Sequence, residues 1–428
     1  MTKNLGSVLI FIAAMILTGC NGFSSFFVNP NPPGTGGGGT GTSTTSGYFY
    51  VLNYGTLTGT NPTPASIAGF QVVKSVLTAI PNGSVSLGAG AQPSAITVSP
   101  NNKFLYVSSV ATGINVFPIG TNGSLGTTTG TISNGFVQSM QVDSTNQWLL
   151  TLSPGATLGT AILAAFPLNK TTGQLNNGAT AQFVTLTGSP QQLVISPNNS
   201  YVFAAMGGGG TDEAPFNANV TNSTPLGAAV NIPLSTSGSV SANAVAVDPT
   251  TRFLYIAETN ALPNSPDGNT GGLRLFHIVT SPFSLTEITD NKAPFASGGI
   301  APSSILPDAL GDFVYVANKT VNNLTNGNIT GYSILSNSTG TNFSVTQLVN
   351  SPFSVALGIG TAALVEDSTR SFVISVNTGT TTSTSSTNAD LAIFPFDTTN
   401  LGSLFVTKSL TGSAGTDPAQ AFAVAAAH

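Results

Sequence analysis

The sequence predicts an all-β chain folded as a seven-bladed β-propeller, with about four antiparallel strands per blade. Three observations carry this. First, a strand–turn–strand unit recurs, as Pro93-Ser-Ala-Ile-Thr-Val-Ser-Pro-Asn-Asn-Lys-Phe-Leu-Tyr-Val107, Gln191-Gln-Leu-Val-Ile-Ser-Pro-Asn-Asn-Ser-Tyr-Val-Phe203 and Asn243-Ala-Val-Ala-Val-Asp-Pro-Thr-Thr-Arg-Phe-Leu-Tyr-Ile256. Second, an aromatic opens the second strand of each unit: Tyr48, Phe104, Trp148, Tyr201, Phe253, Phe313 and Phe372 are seven copies spaced 44 to 60 residues apart. Units of that size, too thin to hold a core alone, must stack on their neighbours. Third, the ends complete each other. The first unit starts at its second strand, Tyr48-Phe-Tyr-Val51, and the chain finishes on Pro418-Ala-Gln-Ala-Phe-Ala-Val-Ala425, an opening strand with no successor. Joined, they close a ring with no free sheet edge between first and last blade. An open β-solenoid is the rival architecture, but its repeats would be shorter and would need no split unit.

Within each unit the turn has a physical basis. Ser99-Pro-Asn-Asn102, Ser196-Pro-Asn-Asn199 and Asp248-Pro-Thr-Thr251 put Ser or Asp first and Pro second. That order favours a type I turn, since Pro presets φ and the first side chain caps it. Asp248, Asp308 and Asp367 are therefore structural, and Lys103, Arg252 and Arg370 belong to exposed turns. Third strands read as Ile114-Asn-Val-Phe-Pro-Ile119, Ala164-Ala-Phe-Pro-Leu168 and Leu391-Ala-Ile-Phe-Pro-Phe396. Fourth strands are foreshadowed by Gly123-Ser-Leu125 and Gly402-Ser-Leu404.

The segments before residue 47 are of another kind. Lys3 precedes an apolar run from Leu5 to Leu17, too short to span a bilayer. Charged start, apolar middle and small-residue end make residues 1–20 a signal peptide. Its end, Leu17-Thr-Gly-Cys20, resembles the lipobox of bacterial lipoproteins, and Cys20 is the only cysteine of the chain. The resemblance implies cleavage before Cys20 and a diacylglyceryl thioether on its sulfur, so membrane lipid is an expected partner. Asn21, where an Asp would retain such a protein at an inner membrane, points to the cell envelope's outer surface or a periplasm-facing anchor. Residues 21–46, rich in Gly, Pro and Thr, read as a tether with a root-mean-square span of roughly 25–30 Å. Phe23, Phe26 and Phe27 beside the anchor could dip into the lipid interface or stay in solvent. Residues 47–428 form the propeller.

Composition narrows the chemistry. Hydrophobic residues make up 40% of 428 residues, enough for a core, while charged residues are only 6%. The net charge is −5 with no Lys/Arg cluster, which argues against a nucleic-acid partner. No cofactor fingerprint and no metal-ligand spacing is present, so neither cofactor nor metal is expected. The Asn-x-Ser/Thr sites, Asn82 and Asn328 among them, carry no weight beside a lipobox. The histidines are His277 and His428. His277 aligns with Pro118, Pro167 and Pro395, a place where a missing N–H costs no ladder bond, so it belongs on the blade's periphery. His428 ends the chain. The opening strand of each blade should line the central channel, which makes Ser94, Gln138, Gln191, Asn243 and Ser303 candidate channel residues. Such uncharged groups can hydrogen-bond a sugar or lactone but are poor general bases near neutral pH.

The recurring P-x-x-I-x-V-[SD]-P-x-x-[KR]-F-L-Y-V element, with turns such as Ser281-Pro-Phe283, Ala293-Pro-Phe295 and Ser351-Pro-Phe353, resembles the seven-bladed lactonase-type propellers of the 6-phosphogluconolactonase family. The resemblance covers nearly all of residues 47–428. It implies a site in which G-x-G-P-R-H on one opening strand and N-E-L on the same blade polarise a lactone and position water. The nearest match is Gly299-Ile-Ala-Pro-Ser-Ser304 followed by Tyr315-Val-Ala-Asn-Lys319. Asn318 is kept, Ser303 and Ser304 stand for Arg and His, and Lys319 stands for Glu. Glu258 lies one residue out of register, which turns its side chain to the other face. The sequence thus indicates a surface-anchored binding or scaffolding propeller, with a sugar, lactone or envelope protein as partner. Its alternative is a sugar-lactone hydrolase with a non-standard set drawn from Ser304, Asn318, Lys319, Glu258 and Asp308. A third reading has Asp212-Glu213 or Asp267-Gly-Asn269 hold Ca²⁺.

Overall fold

The computed structural model describes residues 47–427 apart from 56–63, 74–75, 89, 133–134, 177–179, 221–223, 237, 291, 322–325, 337–341, 379–390, 406–407 and 411–419. The expected signal peptide, the lipobox-like end at Cys20, the expected tether and His428 lie outside the described residues.

Strands alone build the described chain. It begins with β1 (Tyr48–Asn53), β2 (Ala65–Val73), β3 (Val76–Ala79) and β4 (Val85–Gly88). Blade 1 follows as β5 (Pro93–Val98), β6 (Phe104–Ser109), β7 (Gly113–Pro118) and β8 (Gly130–Ile132). Blade 2 is β9 (Ser139–Val142), β10 (Trp148–Pro154), β11 (Thr160–Pro167) and β12 (Gln182–Thr187). Blade 3 is β13 (Gln192–Ile195), β14 (Tyr201–Ala205), β15 (Thr211–Pro215) and β16 (Val230–Ile232). Blade 4 is β17 (Ser241–Val247), β18 (Phe253–Thr259), β19 (Gly272–Thr280), β20 (Phe283–Ile288) and β21 (Phe295–Ala296). Blade 5 is β22 (Pro302–Pro307), β23 (Phe313–Asn318), β24 (Asn326–Ser336), β25 (Phe343–Gln347) and β26 (Phe353–Ile359). Blade 6 is β27 (Thr361–Glu366), β28 (Phe372–Asn377), β29 (Leu391–Pro395) and β30 (Lys408–Leu410), and the last strand is β31 (Ala421–Ala427). Every pairing is antiparallel, and β31 joins β1–β4 as the inner strand of blade 7, with Val51 opposite Val424. The chain therefore closes its ring through both ends, as expected. Inner strands touch in the cyclic order β5, β9, β13, β17, β22, β27, β31 and back to β5. All seven marker aromatics open second strands.

The core lies between blades, not within them. Alternate residues of each strand face opposite neighbours. In blade 4, Leu254 and Ile256 pack toward blade 3 beside Phe203 and Ile195, while Phe253, Tyr255 and Ala257 pack toward blade 5 beside Val314 and Val316.

The inner turns are type I turns closed by a left-handed residue, the three-residue hairpin geometry. In Ser99–Asn102 the Asn102 N–H donates to Ser99 O at 2.8 Å, and Asn102 has φ 57°. Asp248 takes the same place in blade 4. Its carboxylate accepts the N–H groups of Arg252 at 2.5 Å and Phe253 at 2.7 Å, the capping role its position predicted. The left-handed residue there is Thr251, φ 61°, where a β-branched side chain is strained. Three other blades place Asn at this point, as Asn102, Asn146 and Asn199. Thr251→Asn is expected to raise stability by about 1 kcal/mol, read as a higher denaturant midpoint.

Gly123-Ser-Leu125 and Gly402-Ser-Leu404 are latches rather than fourth strands. Each makes one bridge, Ile119 to Leu125 and Phe396 to Leu404, and the fourth strands β8 and β30 come after them. Gly123, φ 78°, presses on the preceding blade: an added Cβ would stand 2.6 Å from the Tyr48 ring. Its carbonyl accepts the Tyr50 hydroxyl at 2.8 Å. Tyr106 donates likewise to Gly173 O, and Tyr315 to Gly402 O, so one tyrosine latch recurs at three blade boundaries.

Candidate functional site

The candidate site of the sequence sits where inner strands begin, at the end of the ring opposite the Ser-Pro turns. β22 enters there with a bulge: Pro302 pairs with Asn318, Ser304 pairs with Ala317, and Ser303 is the extra residue. Ser94 and Asn243 occupy the same bulge in blades 1 and 4. A bulge re-aims a side chain, and here all three are buried with partners nearby. Ser303 donates to Thr361 O of the next blade at 2.7 Å. Ser94 Oγ lies 3.1 Å from Ser108 Oγ, and Asn243 Oδ1 accepts the Ser241 hydroxyl at 2.9 Å. Gln138 is buried, its main-chain N–H held by Leu152 O at 2.8 Å. Gln191 is half-buried with Nε2 3.5 Å from Ser189 O.

The remaining candidates do not converge on one reacting point. Ser304 is fully buried and its hydroxyl meets no partner. The Asn318 amide donates to Ser297 O at 2.5 Å and to Asn328 Oδ1 at 2.8 Å, and its oxygen accepts the Ser297 hydroxyl. Those bonds pin the 297–299 loop against the strand. Lys319 is half-buried, its N–H bonded to Ala301 O. Glu258 occupies the Asn318 position of its own blade, five residues after the marker aromatic, and is claimed by Arg274 at 3.2 Å. Asp308 caps its turn, accepting the Phe313 N–H at 2.7 Å. His277 stands on third strand β19 opposite Phe253, its ring 4.8 Å from that of Phe343.

Neither calcium reading gains a ligand cage. Asp212 Oδ1 accepts the Asn231 amide at 2.8 Å. Asp267 accepts from the Ser265 hydroxyl and from Asn269, bonds that hold its carboxyl below the usual range. Among the described residues no three His, Cys, Asp or Glu side chains gather to hold a metal.

Several features were missed. Arg252, expected to be merely solvated, bonds Thr250 Oγ1 at 2.7 Å and Gly311 O of the next blade at 3.1 Å. Arg274 joins Glu258 to Glu287, and its guanidinium also donates to Pro233 O of blade 3 at 2.7 Å. Glu213 and Glu366 are buried acids whose carboxyls burial pushes up to about 7 and about 8. At the other end of the axis the inner strands open into a small mouth of about 60 Å³, walled by residues such as Val98, Val142, Val194 and Val247 with Thr97 and Gln141. Among the described residues that line it none is charged.

Comparison with known proteins fits this ring. Residues 60–350 match the family model described as lactonase, seven-bladed β-propeller. The chain belongs to that family. A candidate 6-phosphogluconolactonase from Bacteroides uniformis superposes with a TM-score of 0.62 at 15% identity, over 89% of this chain and 99% of its own. The periplasmic gluconolactonase of Pseudomonas aeruginosa gives 0.52 at 18% identity, over 71% of this chain and 81% of its own. A protein of unknown function from Desulfotomaculum acetoxidans gives 0.56 at 12%, over 90% and 99%. At these identities the solved structures share the fold. No curated protein matches the sequence.

Proposed function

We propose that this lactonase-family propeller is a binding or scaffolding module held at the cell envelope through an acylated Cys20, with a degenerate catalytic site. A neutral sugar or lactone, or an envelope protein, is its partner. The observation that carries the reading is the fate of the family's charged positions. Ser303 spends its hydroxyl on Thr361 O, Ser304 is sealed in the blade interface, and Lys319 replaces an acid. General acid–base catalysis needs a titratable group within hydrogen-bond reach of the reacting atoms. Of the acids near that end, Glu258 is neutralised by Arg274.

Hydrolysis of 6-phosphogluconolactone and of glucono-1,5-lactone is expected to proceed at the spontaneous rate in the presence of the protein. Lys319→Ala and Glu258→Gln should leave that rate unchanged. Turnover above background that either substitution abolishes would overturn the scaffold reading in favour of a hydrolase with a non-standard site. Anchoring is tested apart from this: Cys20→Ser should release the protein from the membrane fraction, and retention there would refute the lipid anchor.

A further inference from the structure

We propose that the groove between blade 7 and blade 1 is a binding site for one neutral monosaccharide in its ring form. Outer strand β4 lines one side, and the end of β6, the turn after it and β7 line the other, so the site lies on the wall of the propeller and not on its axis. It rests on the binding-module reading, for which it supplies the sugar's place, and it uses none of the catalytic positions of blades 4 and 5.

The groove exists because side chains that fill its counterpart in another blade are short here. Asn115 on β7 stands opposite Val107, three residues after the marker aromatic Phe104. Arg274 holds the same place in blade 4, opposite Ile256. Ser109 takes the place of Glu258, five residues after the marker. Ser86 follows Val85 in blade 7 as Pro233 follows Ile232 in blade 3, and Val85 and Ile232 share one register on their third strands. Where blades 3 and 4 meet, Arg274 occupies the space and donates to Glu258 at 3.2 Å and to Pro233 O at 2.7 Å. Where blades 7 and 1 meet, Asn115, Ser109 and Ser86 leave about 140 Å³ open. That is several times the roughly 30 Å³ share of one water and below the roughly 300–1,000 Å³ of drug-sized pockets, so it suits a single six-membered ring.

The lining gives the chemistry of the ligand. Phe117, 3% exposed, is the floor, with half-buried Val85 and Leu87 beside it. An aromatic and aliphatic panel of this kind matches the C–H face of a pyranose. Hydroxyls and one amide surround it. Asn115 Oδ1 accepts the Thr131 hydroxyl at 3.2 Å, and one of the Asn115 amide hydrogens goes to Thr112 Oγ1 at 2.7 Å. The second amide hydrogen and the Thr112 hydroxyl proton are left to face a ligand. Ser109, 1% exposed, accepts the Ala111 N–H at 3.3 Å and keeps its own proton to donate. Ser86 is placed alike, accepting the Gly88 N–H at 3.3 Å. Hydroxyls both donate and accept, so such a set answers the several hydroxyls of a sugar. Among the described residues of the lining none is charged, so an ion entering the groove would lose water without gaining an opposite charge.

The test uses the full chain carrying Cys20→Ser with labelled Leu and Val methyls, titrated with D-glucose, D-galactose and N-acetylglucosamine. The methyl signals of Leu87 and Val85 should shift with at least one of these sugars and saturate. Asn115→Ala, which removes the amide, should weaken that sugar about five-fold, the worth of one hydrogen bond. Asn115→Arg with Ser109→Glu, which brings in the pair that fills the blade 4 counterpart, should abolish the shift. Asn115 is half-buried, so Asn115→Ala keeps the test standing if the double variant does not fold. Binding that Asn115→Ala leaves unchanged overturns the proposal. Shifts confined to methyls outside the groove also overturn it, while sparing the binding-module reading. No shift at any methyl with any of the three sugars overturns both the groove and the sugar arm of that reading.

Discussion

Replacing Arg274 by methionine is expected to destabilise the propeller by about 3–5 kcal/mol, the largest single-site loss away from the hydrophobic core. Glu258 is 1% exposed. Its carboxylate accepts Arg274 Nη1 at 3.2 Å and lies 3.3 Å from the Ser235 N–H. Arg274 also holds Glu287 through two parallel bonds, at 2.7 and 2.9 Å, and stacks 4.8 Å over Phe276. Burial works against the guanidinium charge, but Glu287 and Glu258 outweigh it and hold the group more firmly protonated. Methionine keeps the stem's packing and removes the positive partner that Glu258 has among the described residues. The cost is that of an uncompensated buried charge, not the net worth of the pair. The double substitution Arg274→Met with Glu258→Gln should therefore recover most of the loss, since the neutral amide it introduces can still accept the Ser235 N–H. Denaturant midpoints of the two single variants and the double variant measure this. Equal losses in Arg274→Met and in the double variant would show that the charge on Glu258 does not matter.

The contrast between blades explains how much of this molecule was legible in its sequence. Blade number, ring closure and strand order follow from a register of aromatics, because period and hydrophobic alternation are local and repeat. The Asp248 cap was legible for the same reason: Asp-Pro at a turn has one economical geometry. His277 was placed correctly by its alignment with prolines. What repeats could not reveal are the exceptions to the repeat. Glu213 stands opposite Phe203 where blade 1 puts Val116 opposite Tyr106 and blade 4 puts Leu275 opposite Tyr255. Register alone assigns that place to the core, and only the neighbouring blade shows that an acid there is sealed. The bulge at Ser94, Asn243 and Ser303 is a backbone irregularity with no residue signature, so channel-facing groups and bulge-turned groups read alike. Asn318 was retained as a remnant of a catalytic motif, yet its amide is committed to Ser297 and Asn328. A kept residue can therefore mark a kept loop and not a kept reaction.

Stability of the propeller is expected to fall as pH rises from about 4.5 to 8, opposite to the usual behaviour of a protein with ion-paired carboxylates. Glu366 and Glu213 are the cause. Glu366 ends inner strand β27, 3% exposed, where blades 1 and 4 have Val98 and Val247. Burial raises its carboxyl to about 8; the Ala309 N–H at 2.8 Å opposes the rise, Asp308 and Asp367 add to it, and Arg370 offsets part of it. Glu213, 5% exposed with Oε1 unpartnered, is raised to about 7 by burial alone. Between the ordinary glutamate value of 4.5 and these folded values the native state binds more protons than the unfolded chain. Stability then falls with pH, fully present below 4.5 and lost through 7 and 8. At about 1.36 kcal/mol per unit Glu213 accounts for on the order of 3 kcal/mol and Glu366 for on the order of 5 kcal/mol across that window. Asp143 and Asp308, also raised by burial, push in the same direction. Glu366→Gln keeps an acceptor for Ala309 and removes the titration. Its denaturant midpoint should match the parent at about pH 5 and exceed it at about pH 8.5, and Glu213→Gln should do the same to a smaller extent. Parent and variants with parallel profiles over this range would show that both acids ionise in the native ring without cost, through water reaching their carboxyls.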